Sequence, residues 1–495
     1  MTTLTKRDTV AGAALVTIAI TISGSGFGLV RDVLLARWFG AQASTDAFLV
    51  AWTVPETAFC LVVEGAMSLV MVPMFSRALT EAGSVRAVVG ATLPRVVTVL
   101  SIGSAAVALG APLLVPAIAP GLADPALAVA CTRLTAVTVL AFGVAGYVSA
   151  ALRAHHVFAA PAAIHLAYNA GIIGLMWTLR DRLGIVGAAA GVALGSVLMV
   201  LVQLPSYLRH VGRPRLGPRS WSRSGFAFAA VAPIVVYTLG RQSQVYVERF
   251  LGSGLPAGAI SHLNYAQKLA QLPMLVALLV CTVTFPRLAR AMAAGDLPVA
   301  RRRFAADLRV VAGLILLGAA YLFVFARPVV ATLLERGAFT AADTASTAAI
   351  VRVYALGLLG HALVGLATRP YFAAGRPAWY PALAVGVGVA VNAVLATASV
   401  ARFGVTGIAA ANGVGIAVAA ALLLAGLRRR EVGVAPGLVA AAVGRAAGAA
   451  GAAGLAGWFT GRLLDGLGPA AVSVVGGVVV LGVYAVGLKL VGYER

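Results

Sequence analysis

Acidic residues are scarce in this chain. It holds 16 Asp and Glu against 38 Lys and Arg in 495 residues, and charged residues make up only 11%. Soluble globular proteins carry about 25%, so the shortage excludes a soluble fold and leaves an integral membrane protein. Cysteine is rarer still. Cys60, Cys131 and Cys281 all lie in apolar runs, which excludes a disulfide framework and reads as small buried hydrophobes. Enzyme motifs are missing: there is no G-x-S-x-G, no Walker A loop and no G-x-G-x-x-G after a strand. The six histidines do not cluster. His155 and His156 are adjacent and cannot share a helix face, and the rest are isolated, so neither a metal nor a cofactor is expected. No short hydrophobic stretch with a cleavage site precedes the first span, so no removed signal peptide is expected.

What is abundant is apolar sequence, 61% of the chain. It accommodates about fourteen helices of membrane length. They are read at about 9–39, 46–75, 88–113, 126–152, 158–178, 184–208, 226–252, 259–285, 305–327, 345–368, 379–401, 404–427, 436–460 and 468–490. The fold class is thus an all-α polytopic membrane protein. The net charge of +22 gathers in loops between spans, chiefly 209–225, 286–304 and 427–431. That distribution follows the positive-inside rule, places those loops in the cytoplasm and argues against nucleic acid as a partner. An even number of spans puts both termini in the cytoplasm. The segment 327–346 is expected outside, as a short surface helix and loop.

The chain also repeats itself. ARWFG (36–40) matches ERFLG (248–252), and the run 153–196 matches 369–416, with offsets near 212–220. The repeat predicts two pseudo-symmetric six-helix bundles, 1–215 and 216–430, plus two additional helices in 431–495. Parallel repeats of this kind imply a transporter with a cavity between its halves.

Candidate functional residues are charges in apolar surroundings, since each costs roughly 2.5–3.5 kcal/mol or more at the bilayer centre. The stretch Ser23–Ala66 carries Arg31, Asp32, Arg37, Asp46, Glu56 and Glu64. Glycines at 24, 26 and 28 are expected to break the first helix, and Pro55 to bend the second. Arg31, Arg241 and Lys268 are the candidate cavity cations. Arginine suits phosphate through its bidentate fork, and lysine adds a point charge. The competing reading is that each neutralises a carboxylate; Glu248 lies two turns from Arg241 on the same face. Asp46, Glu56, Glu64 and Glu248 are candidates for ion coupling or structural charge, Asp46 alternatively as a helix N-cap. The glycine rows 187, 191, 195 and 448, 451, 454, 457 read as helix-packing faces.

Several stretches resemble the MurJ/MviN family of lipid II flippases, within the multidrug/oligosaccharidyl-lipid/polysaccharide exporter superfamily. They are RDVLLARWFGAQASTDAF (31–48), EGA (64–66), NYAQKLAQLP (264–273), ERGAFTAADT (335–344) and the run from Arg376 to Arg430. The resemblance implies a fourteen-helix protein of the cytoplasmic membrane. It would move an undecaprenyl-diphosphate-linked cell-wall precursor outward by alternating access, without covalent chemistry. Its partners would be that lipid-linked saccharide, the bilayer and cell-wall synthesis proteins. Arg31, Asp46 and Glu64 match family motif positions. The chain departs from the family at Ser25, at Phe59 and Cys60, where arginines are usual, and at Gln267, Lys268 and Gln271. Arg241 is expected to replace part of the missing charge. The rival readings are a flippase for another lipid-linked saccharide, a drug/cation antiporter with an acidic cavity, and a non-transporting membrane scaffold.

Overall fold

A computed structural model describes residues 2–82, 85–213, 228–373, 378–429, 432–464 and 466–493. The chain is an all-α polytopic membrane protein, and the described residues contain no strand. Eleven helices among them are long and apolar enough to cross a membrane. The molecule divides into two compact units, Met1–Leu239 and Gly240–Arg495.

The N-terminal unit opens with α1 (Thr2–Phe39) and α2 (Ala43–Ala58), followed by a π-helical segment (Phe59–Met71) and α3 (Val72–Ala82). Then come α4 (Arg86–Ile118), α5 (Pro125–Thr135), α6 (Val137–Ala154), α7 (Ala159–Ala162), α8 (Ile164–Leu183) and α9 (Val186–His210). Pro55 has no N–H for the ladder, and the irregularity expected there takes the form of the wide-turn segment just beyond it. Phe142, Ala145, Ile164, Met199 and Val63 form one apolar core of this unit, where α6, α8, α9 and the π segment meet. Gln203 fastens α9 to α6: its amide donates to the Ala145 carbonyl and its oxygen accepts from Ser149.

α10 (Phe228–Gly252) leads into the C-terminal unit of α11 (Ala259–Ala270), α12 (Leu272–Ala293), α13 (Leu297–Leu334), α14 (Ala341–Ala373), α15 (Tyr380–Arg429), α16 (Pro436–Leu463) and α17 (Pro469–Leu490). The expected single span at 259–285 is two helices, because Pro273 cannot donate to the carbonyl of Leu269. The short helix expected within 327–346 is present as the last segment of α13, beyond a kink. α13 bends at Phe325 (φ −99°, ψ 20°), three residues before Pro328, and runs on to Leu334. Arg352 of α14 donates to the Phe323 carbonyl beside this bend. α16 and α17 pack on α13 and on each other.

Each unit contains the same hairpin. α8 turns into α9 at Gly184 (φ 55°, ψ −135°), and α15 turns on itself at Gly404 (φ 54°, ψ −134°). Only glycine adopts that backbone readily. Gly187 packs on Leu179 and Gly407 on Ser399, while Gly195 abuts the Tyr168 carbonyl and Gly415 the Gly388 carbonyl. Every member of one set has its counterpart 220 residues on, so the repeat read in the sequence is a repeat of helix crossings. The second glycine row behaves differently. A Cβ on Gly457 would meet Val480 and Phe325, but one on Gly448 or Gly451 would meet nothing within 4 Å among the described residues.

The contrast is testable. Gly415→Ala inserts a Cβ into a backbone that cannot retreat and should cost about 1–3 kcal/mol. Gly448→Ala should leave stability unchanged or raise it by up to about 1 kcal/mol through helix propensity. Thermal unfolding in detergent measures both.

Candidate functional site

The first charge cluster is assembled by three helices of the N-terminal unit. α1 is continuous through Gly24, Gly26 and Gly28, and none of them has a positive φ, so the expected break does not occur. Gly24 and Gly28 admit α8 instead. A Cβ on Gly24 would lie 2.8 Å from the His165 Cβ, and one on Gly28 would lie 3.7 Å from the Asn169 amide nitrogen. This close approach lets Asn169 reach α1 twice. Its Nδ2 donates to the Gly24 carbonyl (3.2 Å) and to His165 in its own helix (2.9 Å), and its Oδ1 accepts from Arg31 Nη1 (2.9 Å).

Arg31 is held on two further sides. Its Nε and Nη2 donate to Asp32 Oδ1 at 3.0 and 2.8 Å, and its guanidinium carbon stands 4.4 Å from the Trp52 ring centroid on α2. Both partners of the ion pair are nearly buried, with side chains 11% and 10% exposed. Successive helix residues point about 100° apart, so Arg31 must fold back across its own helix to meet Asp32. The arrangement uses one N–H on each guanidinium nitrogen. An arginine has five N–H donors, so these bonds leave one N–H on each Nη.

The acidic candidates of this unit separate. Asp46 is not the N-cap of α2; Gln42 is. Asp46 lies one turn inside the helix, 4% exposed, where the positive end of the helix dipole favours a carboxylate. Glu56 is half-buried in the last turn of α2. Glu64 is on the π-helical segment, and its side chain lies outside the described residues.

The second cluster is in the C-terminal unit. Glu248 of α10 is 1% exposed. Its Oε1 accepts from the Tyr354 hydroxyl of α14 (2.8 Å) and the Asn412 amide of α15 (2.9 Å). Asn412 Oδ1 in turn accepts from His361 Nε2 at 3.1 Å. The expected Arg241–Glu248 pair is absent among the described ion pairs. Arg241 is half-buried and acts electrostatically on His361 instead. Lys268 is half-buried in the last turn of α11, just before the break at Gln271. A cation is stabilised at such a C-terminal end by the helix dipole. Arg249, 2% exposed, is satisfied by Asn264 Oδ1 (3.0 Å) and the Ile260 carbonyl (3.4 Å). No group of three or more His, Cys, Asp or Glu that could hold a metal occurs among the described residues.

A family model described as lipid II flippase MurJ matches residues 35–470, most of the chain. The chain belongs to the MurJ family. It is 28% identical over 434 residues to the lipid II flippase MurJ of Burkholderia cenocepacia, covering 85% of this chain and 84% of the relative. A protein of Rhizobium meliloti named probable lipid II flippase MurJ is 29% identical over 429 residues, with 83% and 78% covered. Among solved structures, a lipid II flippase MurJ in an inward closed conformation matches 96% of this chain and 98% of its own, with TM-score 0.77 and 20% identity. An inward-facing MATE-family multidrug transporter matches at TM-score 0.69 and 14% identity, over 84% and 98%. These structural likenesses speak for the fold.

Sequence reasoning singled out Arg31 and Glu248 as charges in apolar surroundings but not the groups that hold them. Asn169 and Trp52 were missed because neither is charged. Their signal was position: Asn169 is a polar residue within an apolar stretch of α8. His361, Tyr354 and Asn412 were missed for the same reason.

The Arg31–Asp32 pair gives a stability test. Asp32→Leu leaves a nearly buried guanidinium without its carboxylate and should cost about 3–5 kcal/mol. The double variant Arg31→Met, Asp32→Leu removes both charges and should unfold at about the wild-type temperature, as read by thermal unfolding in detergent.

Proposed function

We propose that this chain is a flippase. It moves an undecaprenyl-diphosphate-linked cell-wall precursor, most directly peptidoglycan lipid II, from the inner to the outer leaflet of the cytoplasmic membrane. The headgroup crosses while the polyprenyl tail stays in lipid, and no covalent bond is made or broken. Both termini lie in the cytoplasm, as the basic loops require. The observation that carries this reading is Arg31: a nearly buried guanidinium in a MurJ-family chain, oriented on three sides and keeping one N–H on each Nη.

Asp32 has a place in this mechanism. A bare cation in this setting would cost several kcal/mol, so Asp32 supplies the counter-charge while the substrate is away. A diphosphate engages the Nη edge, and its greater negative charge draws the guanidinium from the carboxylate. Asn169 and Trp52 keep the fork aimed during the exchange. Arg241 and Lys268 contribute cations from the C-terminal unit. Net movement of one charge across the membrane is worth about 2.3 kcal/mol per 100 mV, so the membrane potential is a sufficient source of direction.

The test is complementation of a flippase-depleted strain, with lipid II accessibility measured at the outer leaflet. Wild type should restore growth and outer exposure. Arg31→Ala should abolish both at equal membrane abundance, and Arg31→Lys should retain only a small part, because a point charge lacks the fork. Full rescue by Arg31→Ala contradicts the assignment of Arg31. No outer exposure with wild type contradicts lipid II as the substrate; the departures at Ser25, Phe59 and Cys60 then favour another lipid-linked saccharide.

A further inference from the structure

One end of the N-terminal unit carries charge that the topology disfavours. α1 and α8 both finish there, with Arg37, Arg180 and Arg182 in their last turns, on the face opposite the basic loops. The two helices run parallel. Gly24 meets His165, Gly28 meets Asn169 and Trp38 meets Arg180, so the contacts advance in step along both. A helix C-terminus favours a cation by its dipole alone, but Arg180 does not serve its own helix end. The Gly184 N–H already closes the Arg180 carbonyl, and the Arg180 guanidinium carbon stands over the Trp38 ring of α1, 5.1 Å from its centroid.

Trp38 and Arg180 continue the seam that holds Arg31. Trp38 follows Arg31 by seven residues, close to two helical turns, and Arg180 follows Asn169 by eleven, close to three. Each therefore lies on the same helix face as its deeper counterpart. The roles are exchanged between the two levels. At depth an arginine of α1 reaches a polar side chain of α8; at the rim an arginine of α8 rests on an indole of α1. The two guanidiniums are about 10–15 Å apart along the seam. Stacking uses the plane of the guanidinium and not its N–H groups. The one ion pair of Arg180 is a 3.5 Å approach of Nε to Asp181, with side chains 35% and 84% exposed, and neither Nη enters an ion pair among the described residues. Trp177, 61% exposed and one turn before Arg180, marks the headgroup level, where indoles gather. Arg37, exposed beside Trp38, adds positive potential. Arg182 is exposed too, but two residues on from Arg180 it lies on the other side of α8.

We propose that Arg180, backed by Trp38, is a second lipid-phosphate site, at which the diphosphate of the transported lipid is received when it leaves Arg31. The occupant is the polyprenyl diphosphate and not a bulk phospholipid, because the site continues the α1–α8 seam on which Arg31 stands and so meets what Arg31 releases. A guanidinium this exposed is screened by water and ions, so its hold is weak. That suits a release station, since a tight one would trap the product. It acts at the lipid concentration of a bilayer and on the rate of release, while retention by the detergent-purified chain reports Arg31. The direction of travel rests on the flippase reading; phosphate binding at Arg180 does not.

The test labels the site in a bilayer. The full chain, with Trp177 replaced by photoreactive benzoylphenylalanine, an aromatic for an aromatic, is reconstituted into phosphatidylcholine nanodiscs that contain a polyprenyl diphosphate. Irradiation should cross-link the diphosphate lipid in preference to the matching neutral polyprenol. Arg180→Gln should lower the yield about fivefold, the upper range for an exposed ion pair. Arg182→Gln, which removes the same charge from the same helix end, should leave it unchanged. An equal yield in Arg180→Gln overturns the proposal. So does displacement of the label by phosphatidylglycerol at the concentration of the diphosphate lipid, which assigns the edge to bulk anionic lipid. A second measurement keeps Trp177 in place: in the complementation strain, Arg180→Gln should slow outer-leaflet exposure of lipid II severalfold at equal abundance, and an unchanged rate overturns the proposal. A wild type that exposes no lipid II, yet labels at position 177 in an Arg180-dependent way, overturns the substrate reading and leaves the phosphate site standing.

Discussion

Every charge carried into the hydrocarbon must bring its own solvation, and the interior of this protein is arranged by that demand. Arg31 is solvated by Asp32, Asn169 and the face of Trp52. Glu248 is solvated by Tyr354 and Asn412, and Arg249 by Asn264 and a carbonyl. In each case at least one partner comes from a neighbouring helix, so the charge also fixes helix positions. Breaking one such set leaves an uncompensated ion, which is far costlier than losing one hydrogen bond. The glycines follow from the same demand. Asn169 reaches both Arg31 and the Gly24 carbonyl because α8 lies directly on α1.

Irregular backbone is confined to places where something compensates it. Pro55 is followed by a π-helical stretch, Pro273 separates α11 from α12, and Pro328 bends α13 at Phe325. At the last of these, Arg352 covers the Phe323 carbonyl. At the second, Lys268 stands at the freed helix end. Backbone polar groups at membrane depth persist only with such partners.

Much of this was legible in the sequence. The all-α polytopic class and the family were readable because hydropathy and the motif 31–48 each report a bulk property, and the hairpin glycines Gly184 and Gly404 recur within the repeat read in the sequence. The charges of the site were readable too, since a lone arginine in an apolar helix stands out. Their partners were not. The adjacency of Asp32 to Arg31 gave no hint of pairing, as neighbouring helix residues do not face each other. Gly24, Gly26 and Gly28 suggested a break, yet glycine serves equally for close packing, and only the position of α8 decides. Arg241 and Glu248 share a helix face, yet Glu248 turns to neutral donors on α14 and α15. Sequence spacing reports what lies on one helix; it is silent about the helix that comes to meet it.

The central claim is that Arg31 is an oriented, exchangeable phosphate ligand rather than a locked structural cation. Competition binding to the purified protein, read by native mass spectrometry with a polyprenyl diphosphate and the matching neutral polyprenol, tests it most directly. The account predicts that wild type retains the diphosphate over the alcohol, and that the Arg31→Met, Asp32→Leu double variant, folded but uncharged there, retains both alike. Equal preference for the diphosphate in wild type and double variant would contradict it.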